Sequence, residues 1–94
     1  MIRVNKILAR DAQAARGLLY DAGAVAVTTG ARTAASGAER IGDLETWAFQ
    51  RTEDAESLLA LLEDYRRRWN PGRHEMPSIH SIDRLIAKLT AALS

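Results

Sequence analysis

The sequence contains no cysteine, so disulfide bonds, thiolate metal ligands and cysteine nucleophiles are all excluded. Small secreted domains commonly rely on disulfide staples to supplement a thin core, and their absence makes the cytoplasm the expected location. No stretch of about 18 apolar residues is present, so no membrane span is expected. Met1–Asn5 lacks the apolar run of a secretory signal. Aromatic residues make up only 5% of the chain, so the core must be assembled from Leu, Ile, Val and Ala, and alanine-rich elements approach closely. No charge sign dominates: 13 basic residues stand against 12 acidic ones, for a net +1, which is not the balance of a strongly basic nucleic-acid binder. Nucleotide-binding GxGxxG and GxxxxGK[ST], metalloprotease HExxH and the GxSxG nucleophile turn are all missing. A non-enzymatic protein without a cofactor or bound metal is therefore the expectation.

Ninety-four residues suit a single domain over 1–94, with room for one core and little else. Hydrophobic residues at 47% and charged residues at 27% are the proportions of a folded globular chain. Ile2, Val4 and Leu8 alternate with Arg3 and Asn5 as in a half-buried strand. A helix from Lys6 capped by Asn5 is the competing reading. Asp11 is placed to cap a helix through Ala22, with apolar Ala12, Ala15, Leu18, Leu19 and Ala22 on one face and Gly23 as its stop. Ala24–Thr29 is short and β-branched and reads as a strand, followed by a loop over Ala31–Ala38.

A further strand is expected between Glu39 and Gln50. Its alternation puts Glu45, Trp47, Phe49 and Arg51 on one face, with Trp47 and Phe49 as the core pair. Gly42-Asp43 is either a bulge or an extra turn. Thr52 is the candidate cap of the clearest helix: Glu53, Asp54 and Glu56 lie at its start, Ala55, Leu58, Leu59, Leu62, Tyr65 and Trp69 form an apolar stripe, and Arg66, Arg67 and Arg68 come at its end, where the helix dipole favours cations. Asn70-Pro71-Gly72 stops it. Ser78 or Ser81 caps a last helix in which Ile79, Ile82, Ile86, Leu89 and Leu93 repeat in alternating steps of three and four. The series is β-α-β-β-α with an additional C-terminal helix, an α+β arrangement that covers most of a ferredoxin-like split unit.

Four features carry possible chemistry. His74, Glu75, His80 and Asp83 hold two imidazoles and two carboxylates, but the histidines are six positions apart across a proline, and a shared helix face supplies only two ligands. Ser78, His80 and Asp83 lack the nucleophile turn of a hydrolase, and the serines are better read as caps. Tyr65, Arg66, Arg67, Arg68, Trp69 and Arg73 combine arginine and aromatics, the residue types enriched where one protein grips another or where phosphates and bases are held. The Ile79–Leu93 seam is either internal packing or a homodimer interface. The expected function is a protein–protein interaction module, a small regulator or inhibitor that covers a partner's surface. Nucleic-acid binding through Arg66–Arg73 is the alternative. Arginine supplies eleven of the thirteen basic residues, which fits either contact or a GC-rich coding sequence.

Overall fold

A computed structural model describes residues 1–37, 39–70, 72 and 77–94, with 24 and 25 described by their backbone alone. The chain runs β1 (Ile2–Leu8), α1 (Ala9–Ala26), α2 (Thr29–Ser36), β2 (Glu39–Ile41), β3 (Leu44–Phe49), α3 (Thr52–Arg68) and α4 (Ile79–Leu93). This is an α+β fold, and its order departs from the ferredoxin-like series. A helix stands where the second strand was expected, and no strand follows α3 among the described residues.

The three strands form one antiparallel sheet in the order β1-β3-β2. Pairing of Ile2 with Phe49 and of Val4 with Trp47 puts the largest apolar side chains on one face. Trp47 and Phe49 are fully buried there, their rings edge to face at 6.3 Å. Between Val4 and Ile7 the register slips. Asn5 and Lys6 together face Thr46, and Lys6 adopts a left-handed φ of 57°. That bulge lets both Val4 and Ile7 point inward. Gly42-Asp43 makes the two-residue turn between β2 and β3, with Gly42 at φ 61°, the position where such hairpins favour glycine. The Ala9 amide donates to Asp43 O at 2.8 Å and ties the hairpin tip to the start of α1.

The expected strand over Ala24–Thr29 is overturned. Helix α1 begins at Ala9, passes a break at Gly23 (φ 74°, ψ 173°) and continues to Ala26. Asp11 is therefore inside its first turn rather than its cap. Tertiary context overrides the β-branched preference of this segment. The Arg32 guanidinium on α2 donates to the carbonyls of Leu19 and Gly23, which accept where α1 is interrupted. The expected loop over Ala31–Ala38 is also overturned as far as Ser36. Thr28 caps α2 by accepting from the Ala31 amide at 3.1 Å, and Ala31, Ala34 and Ala35 turn inward together. Helices α3 and α4 form where expected, with Ser78 as the cap of α4, but Thr52 is the first residue of α3 and Arg51 holds its cap position without a side-chain cap hydrogen bond. Helices α1, α3 and α4 cover the inner face of the sheet, and Ala12, Ala15, Leu58, Leu62, Ile82 and Leu89 join Trp47 and Phe49 in the core.

Candidate functional site

The inner face of the sheet is covered, and its outer face is open. Register assigns the outer positions row by row. Leu8, Leu44 and Ile41 form the first row; Asn5 with Lys6, Thr46 and Glu39 form the second; Arg3 and Ala48 form the third. Ile41 is 85% exposed and Leu44 is 39% exposed. They face each other across the hairpin with Leu8 half-buried beside them. A groove of about 200 Å³ crosses the first two rows, bounded by Asn5, Lys6, Glu39, Ile41, Leu44 and Thr46.

Beside the third row, α2 replaces β2, and a larger cleft of about 660 Å³ opens between the two. Arg3, Thr46 and Ala48 line it from the sheet, and Thr29 and Thr33 from α2. The starts of α2 and α3 meet at its wall, where two helix N-termini attract negative charge. That attraction is already met by the protein itself. Asp54 is buried, accepts from Thr28 Oγ1 at 2.8 Å and lies directly on Gly30.

At the arginine-rich end of α3 each of the three consecutive arginines has a carboxylate partner. Arg66 Nε donates to Asp83 Oδ1 at 2.7 Å, while Arg67 and Arg68 both bond to Asp64. Tyr65 is buried and its hydroxyl donates to Pro77 O at 2.7 Å, linking α3 to the approach of α4. Trp69 is half-buried against the core. Arg73 lies outside the described residues. The Ile79–Leu93 seam packs largely within the chain: Ile82 and Leu89 are fully buried, Ile86 and Leu93 rest on the core, and Ile79 is half-buried.

The histidine constellation is not assembled by the described residues. His74 and Glu75 lie outside them, His80 is exposed at the start of α4, and Asp83 is engaged by Arg66. Among the described residues no three His, Asp or Glu side chains converge as metal ligands. No described helix is long and apolar enough to cross a membrane.

Two buried carboxylates escaped sequence reasoning as partners. Arg84 grips Asp11 through two hydrogen bonds, with Ser81 beside them. Arg16 grips Glu45 at 2.8 and 2.9 Å and also bonds Ala35 O. The hydrogen bonds from Arg16 hold the Glu45 carboxyl below its ordinary range against the opposing effect of burial. For Asp11, burial raises the pKa, but the hydrogen bonds from Arg84 and Ser81 outweigh it and the carboxyl also titrates low. An acid at position 11, on the apolar stripe of α1, was the available signal for the first pair. Alternation with Trp47 and Phe49 signalled the inward direction of Glu45. Neither pattern names the arginine. No family model, no curated protein and no solved structure matches the chain.

Proposed function

We propose that this chain is a non-enzymatic protein–protein interaction module, a small regulator that acts by covering a partner's surface with the outer face of its sheet. The single observation that carries this reading is the row of Leu8, Leu44 and Ile41, in which the most exposed member leaves 85% of its surface in water. An isolated exposed aliphatic residue is ordinary. A row across the described strands of a sheet, on a face that no described helix covers, is the kind of apolar patch that marks a contact surface. The polar rows beside it supply the rim that such interfaces carry.

The arginine-rich end of α3 supports the nucleic-acid reading less well. Its three cations are set against Asp64 and Asp83, which reduces the charge available to displace counterions from a phosphate backbone.

The test is a photoreactive residue at position 41 of the intact chain, irradiated in a native extract. An adduct with a polypeptide is expected. It is expected to vanish with Leu44→Asp and to survive Arg66→Glu, Arg67→Glu and Arg68→Glu together. Loss of the adduct in the arginine variant alone would move the interface to α3.

A further inference from the structure

The outer face of the sheet is charged unevenly from side to side. Its β1 column carries Arg3 and Lys6, and its β2 column carries Glu39, with Thr46 and Ala48 neutral between them. The apolar row lies at one end. We infer that this face packs on the same face of a second copy of the chain, about a two-fold axis parallel to β3. The inference rests on the reading of the face as a protein-docking surface and names its occupant.

Such an axis lays β1 of one copy over β2 of the other at the same level. Leu8 then lies over Ile41 and Leu44 over Leu44, so one apolar row covers the other. In the next row Lys6 lies over Glu39, twice by symmetry. A two-fold perpendicular to the strands does the reverse. Centred on the second row, it stacks β1 on β1, sets Lys6 against Lys6, and brings Leu8 of the apolar row over Arg3. The charge pattern therefore selects one self-pairing and opposes the other.

The edges of the sheet do not offer an equivalent route. The β1 edge carries the Asn5-Lys6 bulge, and Lys88 Nζ donates to Asn5 O at 3.4 Å. The β2 edge is three residues long. Bulges, lysines and short strands are the devices that prevent edge-to-edge pairing. Face-to-face packing, with the strands of the two sheets nearly aligned, is what remains open to a second copy.

The area sets the strength. Three strands about 4.8 Å apart, the longest of seven residues rising about 3.4 Å each, give a face on the order of 300 Å² in projection. Stable interfaces bury roughly 800 Å² per partner, so this dimer belongs to the weak class, with Kd on the order of 10–100 μM.

Sedimentation velocity of the intact chain from about 1 to 300 μM brackets that range and is expected to show a reversible doubling of mass. Ile41→Asp and Leu44→Asp, at exposed positions, are expected to stay monomeric with unchanged circular dichroism and thermal transition. Lys6→Glu and Glu39→Lys are each expected to weaken the dimer roughly tenfold, and together to restore it to within about threefold of the original. A chain monomeric throughout overturns the inference, as does a double reversal weaker than either single change. The photoreactive residue at position 41 separates the two failures. A monomer that still crosslinks another polypeptide through this face loses only the second copy as occupant. A monomer that crosslinks nothing loses the docking surface as well.

Discussion

Arg84 on α4 donates from Nε to Asp11 Oδ2 at 2.9 Å and from Nη2 to Asp11 Oδ1 at 2.8 Å, joining the first helix to the last across 73 positions of chain. The carboxylate is fully enclosed, 1% exposed, while the guanidinium reaches solvent. Removing the arginine strands a buried charge; removing both partners does not. Arg84→Met is therefore expected to lower the urea midpoint more than Asp11→Leu combined with Arg84→Met. Equal or greater damage in the double variant would show that the pair contributes through packing and not through charge compensation.

Asp11 and Glu45 also predict how stability responds to acid. The hydrogen bonds from Arg16 lower Glu45, and those from Arg84 and Ser81 outweigh burial to lower Asp11. Their ordinary values in an unfolded chain are 4.5 and 3.8. Both groups bind protons more tightly when unfolded, so folding stability rises with pH through this region. Their contribution is complete above the unfolded values and is lost as pH falls through the lower, folded ones. Urea unfolding at a series of pH values from neutrality downward is expected to show a decline that begins near 4.5. Glu45→Gln with Asp11→Asn is expected to flatten that decline while lowering stability at neutral pH. An unchanged slope in the double variant would mean that other carboxylates carry the acid response.

Gly30 offers a prediction whose sign is decisive. It lies in the first turn of α2, where alanine is a better helix former by about 1 kcal/mol. A Cβ at this position would fall on the Asp54 carboxyl group, 2.6 Å from Oδ1. Asp54 is held there by Thr28 Oγ1 and is buried. Gly30→Ala is therefore expected to destabilise the chain by about 1–3 kcal/mol in chemical denaturation. Asp54→Ala removes the obstacle, so the double variant is expected to cost less than the sum of the two singles. A neutral or stabilising Gly30→Ala would show that α2 and the start of α3 are not in close contact.

Legibility in the sequence followed the physics of each element. Helix α3 was plain because its stripe, its acidic start and its basic end agree, and Trp47 and Phe49 were placed inward by simple alternation. Helix α4 was plain for its Ile/Leu spacing, and Ser78 for its position before it. Helix α2 was hidden by its composition. Thr29, Gly30 and Thr33 are weak helix formers, and an alanine face at 31, 34 and 35 gives a faint apolar signal. Its cap, Thr28, belonged to a segment whose β-branched residues suggested a strand. The open outer face of the sheet was invisible for another reason. Alternation assigns Leu44, Thr46 and Ala48 to one face, but only the placement of the helices shows that none of the described residues covers it. Arg84 could not be matched to Asp11, nor Arg16 to Glu45, because periodicity carries no information about contacts between distant elements.

Arg32 supplies the last prediction, since it holds together the region where sequence and structure differ most. Its guanidinium donates to Leu19 O at 2.6 Å and to Gly23 O, the carbonyls at the break in α1. Cations are favoured at such carbonyl ends, and α2 is the element that delivers this one. Arg32→Met keeps an unbranched side chain and good helix propensity but removes every donor, so it is expected to cost about 1–2 kcal/mol, the usual loss when hydrogen-bonded carbonyls lose a charged partner. Arg32→Lys is expected to recover only part of that, because one ammonium cannot reproduce the planar fork that spans two carbonyls. Hydrogen exchange locates the effect. The amides of 24–26 are expected to exchange faster in Arg32→Met, while those in the middle of α3 change only with global stability. Uniform acceleration across both helices would show that Arg32 stabilises the fold as a whole and that the turn of α1 beyond Gly23 stands without it.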